Sequence, residues 1–405
     1  MTGSLRKTPL FDWHSAHGGR MVDFAGWSMP VQYGSIVEEH QATRTQAGVF
    51  DVSHMGRLRL DGPGAAAFLD RLLTRKVVGM SPGKIRYSLV CNENGGILDD
   101  VLVYHLRKHG GGLYHLLVVN ASNRDKIVAW LQRHLAVGDE VQFADSTIET
   151  AMIAVQGPAA LAMVEPIVGT DLGGLGYYTG VETTIAGHRA IASRTGYTGE
   201  DGCELIVPAD AAQEVWDKIF AHGKAAGVRA AGLGSRDTLR LEAAMPLYGH
   251  ELSETINPIQ AGLSFAVNLE GREFVGRDAL VSAKQNPNLP TRIGLELAGR
   301  RVPREHYAVL ASGRREPPDS AAEPKNPATE DAATPSGSLR TPLANTPLVI
   351  GQITSGTFSP TLQRPIAMAY VQPQFSPVGT ELSVDIRGSA EPARVVKLPF
   401  YSRPS

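Results

Sequence analysis

The stretch that most constrains this chain lies between Tyr87 and Asn120. Two apolar, β-branched-rich runs, residues 87–90 and 97–104, flank Asn92-Glu-Asn-Gly-Gly96, and a third apolar run ends at Asn120. Apolar alternation on both sides of Asn-Gly-Gly predicts a β-hairpin. The second strand then opens on Asp99 and Asp100. Aspartate is depleted in strands, and neighbouring strand residues point to opposite faces. One of the two must therefore face inward, where a carboxylate is costly unless it is paired. The bland reading of Asp100 is a solvated aspartate beside a turn. The sharper one is a carboxylate held in a cleft for chemistry.

The rest of the composition narrows the class. A chain of 405 residues, 42% hydrophobic, is long enough for two or three domains. The net charge is −2 with signs evenly mixed, which points to neither a nucleic-acid nor a membrane surface. Two distant cysteines, Cys91 and Cys203, argue against a disulfide framework or a cysteine-based zinc site. The start lacks an apolar signal region, and no run approaches the about 20 apolar residues of a membrane helix. A soluble, cytoplasmic protein is expected.

Read in order, Ser35 predicts the cap of a helix over 36–47, with Glu38 completing a capping box. Residues 49–56 read as a strand, 63–75 as a helix begun by a proline, and 123–135 as a helix. Further strands are expected at 147–155 and within 189–207. Further helices are expected at 159–168, 211–227 and 236–244. From Arg292 the pattern becomes short strands and turns, the spacing of an all-β domain. Residues 313–347, rich in Pro, Ser, Ala, Glu and Asp, predict an exposed insertion.

Seven motifs in order resemble the glycine-cleavage T-protein family, the folate-dependent aminomethyltransferases. They are Arg6-Lys-Thr-Pro-Leu-Phe11, Val22-Asp-Phe-Ala-Gly-Trp-Ser-Met-Pro30, Phe50-Asp-Val-Ser-His-Met-Gly56, Asn92-Glu-Asn-Gly-Gly-Ile-Leu-Asp-Asp100, Ser193-Arg-Thr-Gly-Tyr-Thr-Gly-Glu-Asp-Gly202, Gly232-Leu-Gly-Ser-Arg-Asp237 and Ile353-Thr-Ser-Gly356. The resemblance implies an α+β fold: a three-domain cloverleaf of two α/β-type domains and a C-terminal β-barrel around a central folate pocket. The implied division is residues 1–54 with 141–285, an inserted ferredoxin-like α+β unit at 55–140 carrying Asp100, and 286–405.

The resemblance also implies the reaction. The aminomethyl group on the lipoyl arm of H-protein gives its methylene carbon to tetrahydrofolate, a co-substrate, with release of ammonia and no metal. Asp100 is then the catalytic carboxylate, and Tyr87, Asn120, Tyr177 (with Tyr178 the alternative in register), Tyr197, Glu204 and Arg236 are folate contacts. Tyr401 or Arg403 is implied at the folate glutamate. H-protein and folate are the expected partners, with no nucleic acid or membrane, and the chain is expected as a monomer or weak dimer.

Physical chemistry fits these residue types. Tyrosines offer flat faces with a polar tip, a carboxylate accepts from two N–H groups, and a guanidinium forks onto anionic or carbonyl groups. Asp100 would orient the folate and stabilise positive charge on nitrogen, or accept a proton. Ordinary alternatives stand beside each: core packing for Tyr87 and Tyr197, and an ion pair with Asp237 or Glu242 for Arg236. His54 reads as a structural, hydrogen-bonding histidine rather than part of a triad. His14 and His17 have metal spacing without a third ligand. Asp99, on the opposite face from Asp100, serves as the control. The rival readings are a stand-alone folate-dependent demethylase and a non-enzymatic folate binder of iron–sulfur assembly. The second lacks its expected cysteine in Arg272-Glu-Phe-Val-Gly-Arg277.

Overall fold

The Asp99–Asp100 strand runs from Ile97 to Arg107 and lies second in a five-stranded sheet, in a computed structural model that describes residues 4–311 and 348–403. The expected insertion at 313–347 lies outside the described residues. The sheet order is Ile85–Cys91, Ile97–Arg107, Leu113–Val119, Gly56–Asp61, Gln142–Asp145, with every pair antiparallel. The hairpin turn closes as the sequence predicts. Asn92 Oδ1 accepts from the amides of Asn94 and Gly96 at 3.0 and 2.9 Å, and Gly95 takes φ +79°, a conformation that glycine adopts without strain. Gly96 is needed for space, since a Cβ there would meet the Glu254 carbonyl oxygen at 1.8 Å.

A six-stranded sheet packs against the first. Its order is Gly180–Ile185, His188–Ser193, Gly202–Pro208, Thr150–Gln156, Gly48–Asp51, Arg229–Ala230, so it draws strands from both sides of the five-stranded sheet in sequence. Period-2 alternation sorts the residues of each sheet onto two faces. Met152, Ala154, Ile206 and Phe50 meet Tyr104, Leu106, Tyr114, Leu116 and Val118 in one core between the sheets. The alternate residues Ile153, Val155, Leu205 and Val207 pack under Trp216 and Ile219 of the helix Ala212–Gly223. Likewise Leu58, Leu60, Val101, Val103 and Leu117 pack under the helices Ala65–Leu72 and Arg124–His134. The arrangement is helix, sheet, sheet, helix. Full burial of each such aliphatic side chain contributes about 1.5–3 kcal/mol.

The last described strands close a six-stranded barrel in the order Thr291–Leu297, Arg364–Val371, Val349–Ser359, Ala308–Ala311, Glu381–Ile386, Ser389–Val396. The α+β class with a C-terminal barrel expected from the sequence is the observed one. A small sheet of Arg6–Lys7, Trp27–Gln32 and Arg20–Phe24 completes the fold. Among the described residues no helix is long and apolar enough to cross a membrane.

The differences from the expected elements are local. Residues 49–56 are two strands, Gly48–Asp51 and Gly56–Asp61, separated by a turn in which the Ser53 amide donates to Asp51 Oδ1 at 2.9 Å. The segment 159–168 splits into a short α-helix, Ala160–Val164, and a 3-10 turn, Glu165–Ile167, because Pro166 sits at the turn's start and removes a donor. Ser35 does cap the helix Ile36–Thr45, but the Glu38 carboxylate pairs with Arg229 at 2.9 Å. Strand Ala308–Ala311, four residues long, carries too little pattern to be found from sequence.

Candidate active site

The two aspartates part company at a bulge. Val90 pairs with Asp99 and Cys91 with Ile97, so Leu98 is the extra residue on its strand. Leu98 consequently packs with Val101 and Val103 under the helices, and Asp99 shares that side. Its carboxylate accepts from the Asn120 amide at 3.0 Å, Asn120 Nδ2 at 2.8 Å and Asn123 Nδ2 at 2.6 Å. Asp100, one residue on, turns towards the space between the sheets. Its Oδ1 accepts from Asn120 Nδ2 at 2.7 Å and its Oδ2 from the Tyr87 hydroxyl at 3.1 Å. Burial pushes the Asp100 carboxyl above the ordinary range, against the hydrogen bonds of Tyr87 and Asn120. Burial, and then the neighbouring Asp100 charge, pushes Asp99 up as well. Asp99 is thus not the detached control expected from strand alternation. Both acids meet at Asn120, which lies at the end of strand Leu113–Val119, across from them.

Glu204 approaches from the other sheet. It lies on strand Gly202–Pro208 opposite Ala154 and shares the parity of Ile206, which faces the core between the sheets. Only 5% exposed, it accepts from the Thr195 hydroxyl at 2.5 Å. Burial raises its carboxyl, while Thr195 and the Arg236 charge oppose the rise. Arg236 comes from the first turn of the helix Leu233–Glu242, and its guanidinium lies 4.7 Å from the Tyr197 ring centroid. Tyr197 in turn donates to the Pro246 carbonyl at 2.5 Å. The ion pairs considered for Arg236 go to other residues. Asp237 binds Arg240 at 2.8 Å and Glu242 binds Arg44 at 2.8 Å. Arg236 Nη1 is left buried without a partner among the described residues, the usual mark of a site that a ligand or water completes. Burial holds the hydroxyls of Tyr87 and Tyr197 protonated, and the negative charge of Asp100 acts on both in the same direction. Five of the seven expected residues, Tyr87, Asp100, Tyr197, Glu204 and Arg236, therefore gather about the junction of the two sheets, with Asn120 as the sixth behind Asp100.

Tyr177 stands further out, 43% exposed and edge-on to Tyr178 with ring centroids 5.1 Å apart. Tyr401 lies under Arg44 at 3.9 Å, and Arg403 pairs with Asp201 at 3.3 Å. The two histidines with metal spacing are separated. His14 Nε2 bonds Asp51 at 2.9 Å and its Nδ1 bonds the Tyr33 hydroxyl at 2.7 Å, whereas His17 stacks on Trp13. Sequence reasoning missed Asn123 and Thr195, which fix the two acid systems. Asparagine at a helix start and threonine in a Gly-rich turn were the available signals. It also misjudged His54. That residue is buried, edge-on to Phe24 at 5.4 Å, with Nδ1 unpartnered among the described residues. Burial holds its pKa down at about 3, so the ring is neutral at pH 7.

The ensemble offers one carboxylate (Asp100) with two fixed donors behind it, a second carboxylate on the facing sheet, a half-buried guanidinium with a buried, open N–H, and two flat phenols. Such a set can bind a flat, hydrogen-bonding ring and stabilise positive charge developing on a nitrogen nearby.

Comparison with known proteins places the chain. The family model "GCVT N-terminal domain" matches residues 10–271, and "Glycine cleavage T-protein C-terminal barrel domain" matches 291–402. An aminomethyltransferase of Moorella thermoacetica is 45% identical over 400 residues, covering 99% of both chains. One of Streptomyces coelicolor is 44% identical, covering 98% of both. The crystal structure of glycine cleavage system aminomethyltransferase T from Bartonella henselae superposes with a TM-score of 0.83 at 32% identity, covering 99% of each chain. By family models, full-length relatives and fold alike, the chain belongs to the glycine cleavage T-protein family of aminomethyltransferases.

Proposed function

We propose that this protein takes the aminomethyl group from the lipoyl arm of H-protein and delivers its methylene carbon to tetrahydrofolate. In that reaction the C–S and C–N bonds of the S–CH2–NH2 unit break, and two C–N bonds form to the folate. The two protons lost by the folate nitrogens end on ammonia and on the free thiol. Asp100 is the catalytic residue in this reading, Tyr87, Tyr177, Tyr197, Glu204 and Arg236 bind the folate, and Asn120 positions Asp100. The observation that carries it is the Asp100 carboxylate, half-buried between the sheets and aimed by Tyr87 and Asn120 at 3.1 and 2.7 Å.

Each group then has a task set by its surroundings. Tyr87 and Asn120 occupy one oxygen each of Asp100 and fix its direction, so little reorganisation is required when positive charge appears on the folate nitrogen. Glu204 keeps an oxygen free of Thr195 for a ring N–H, and the unpartnered Nη1 of Arg236 is left for an acceptor on the folate. We take residues 55–140 as the unit that brings Asp100, and residues 1–54 with 141–285 as the unit that brings Glu204, Tyr197 and Arg236. The test is to supply tetrahydrofolate and aminomethyl-loaded H-protein. Ammonia and 5,10-methylenetetrahydrofolate in equal amounts are expected. Turnover of an N-methylated amine in place of the loaded carrier would favour the demethylase reading.

A further inference from the structure

His40 lies on the helix Ile36–Thr45, fully buried, and has no place in the chemistry described above. It grips the helix Leu233–Glu242 at two points one turn apart. Its Nδ1 meets the Thr238 hydroxyl at 2.8 Å, and its Nε2 lies 3.3 Å from Glu242 Oε2. The same Nε2 meets the Thr361 hydroxyl at 2.9 Å, in the turn between the barrel strands Val349–Ser359 and Arg364–Val371. One imidazole thus joins two helices and the barrel. The helix it holds carries Arg236 in its first turn. Arg236, whose Nη1 has no partner among the described residues, takes its position from that helix.

The hydrogens around the ring can be counted. Glu242, met by the Arg44 guanidinium, the Ser359 hydroxyl and the Thr361 amide, is a carboxylate and only accepts. The Thr361 hydroxyl spends its one hydrogen on Glu242 Oε2 at 2.8 Å, so towards His40 it accepts. Nε2 therefore faces two acceptors and carries a hydrogen. At the other nitrogen, the Thr238 hydroxyl donates to the Ser235 carbonyl at 3.0 Å, a back-bond within its own helix, and accepts from Nδ1. The count places a hydrogen on both nitrogens. Charge balance leads to the same state independently. The charged and titratable groups around this point are Arg44 on the same helix, Glu242, Glu200, paired with Arg44 at 2.9 Å, and Tyr401, whose ring lies 3.9 Å from the Arg44 guanidinium. The barrel contributes the hydroxyls of Ser359 and Thr361. With a neutral imidazole, two buried carboxylates face one guanidinium. With an imidazolium the cluster is neutral, and an uncompensated buried charge is costly.

We propose that His40 is an imidazolium at neutral pH and acts as a positioning residue for Arg236, clamping the helix Leu233–Glu242 between its own helix and the barrel. The inference rests on Arg236 binding the folate. The proton belongs to the clamp: when it leaves, Glu242 loses one of its cations and the cluster keeps a net negative charge. Stabilisation by a proton held in the folded state is lost as pH rises and the proton departs. Asp100 comes from the other sheet, so the clamp bears on folate binding rather than on transfer.

Nitrogen NMR of the intact protein, labelled at histidine, reads the protonation of each ring nitrogen. The signal lost in both His40→Gln and His40→Asn assigns His40. Two protonated nitrogens are expected at pH 7 in the native protein, and one bare nitrogen in Glu242→Gln, where the balancing charge is gone. A bare nitrogen in the native protein, or both protons retained in Glu242→Gln, overturns the imidazolium. Steady-state rates with saturating loaded H-protein test the clamp. Across the pH range in which that proton leaves, the native KM for tetrahydrofolate should rise about fivefold while kcat stays within about twofold. His40→Gln should show the raised KM at every pH, with thermal melting reporting that it is folded. A native KM that ignores departure of the proton, or a variant that loses kcat instead, overturns the positioning role. Absence of any turnover with tetrahydrofolate would remove the folate reading and the positioning role with it, whereas the NMR result decides the charge on His40 either way.

Discussion

At the residue scale the chemistry depends on two adjacent aspartates with different surroundings. Asp100 has two donors and faces the junction of the sheets, while Asp99 accepts three hydrogen bonds and faces the helices. Because burial raises the Asp100 carboxyl, protonation should begin above the ordinary carboxylate range as pH falls. A protonated Asp100 carries no charge with which to stabilise a cationic nitrogen. Turnover is therefore expected to fall on the acid side at a pH above that of a free aspartate, and a kcat profile from pH 5 to 8 checks it. Asp99→Asn should act differently, placing an amide N–H2 against at least one of the three donors, since Asn120 N–H bonds one oxygen and the two asparagine side chains bond the other. A loss of about 1–3 kcal/mol of stability is expected, measured by urea denaturation, with far less effect on kcat than on the unfolding midpoint. That Asp99 shares Asn120 with Asp100 was not legible in the sequence. Alternation gives opposite faces, but the bulge at Leu98 and the position of Asn120 across the next strand depend on register.

At the scale of elements, the helix Leu233–Glu242 fastens the site to the barrel. Glu242 accepts from Arg44 at 2.8 Å, from Ser359 at 2.5 Å and from the Thr361 hydroxyl at 2.8 Å. Two residues earlier, Arg240 joins Glu251 and Ser355, and Thr354 donates to Glu251 at 2.6 Å. The motif Ile353-Thr-Ser-Gly356 is thus a clasp between helix and barrel. Burial alone would raise the Glu242 carboxyl, yet His40, Ser359 and Arg44 together hold it at about 2, below the 4.5 of an ordinary glutamate. A depressed carboxylate contributes stability that is present above pH 4.5 and is lost as pH falls towards 2. Glu242→Gln should cost about 3–5 kcal/mol at pH 7, and its gap from the native protein should narrow across that window. Denaturant titrations at pH 7, 4.5 and 3 measure this, and a gap that stays constant would remove the charge from the explanation. The helix itself was legible from Leu239 and Leu241. The clasp was not, because its contacts to the barrel join residues 103 to 119 apart in sequence.

For the whole molecule, the hairpin, the two sandwiched sheets and the barrel follow from alternation and turn chemistry that the sequence carries openly. What the sequence withholds is the stacking of the two sheets, which sets Glu204 and Arg236 near Asp100 across more than one hundred residues of chain. Only the family resemblance anticipated that gathering. The reading as a whole turns on Asp100 acting in transfer rather than in binding. The direct test is single-turnover formation of 5,10-methylenetetrahydrofolate from aminomethyl-loaded H-protein in the native protein and in Asp100→Asn, with folate affinity measured separately on each. The expected result is a rate lower by about 10²–10⁴-fold with tetrahydrofolate binding within about threefold of native. A variant that keeps the native rate, or one whose entire loss is accounted for by weaker folate binding, would contradict the assignment.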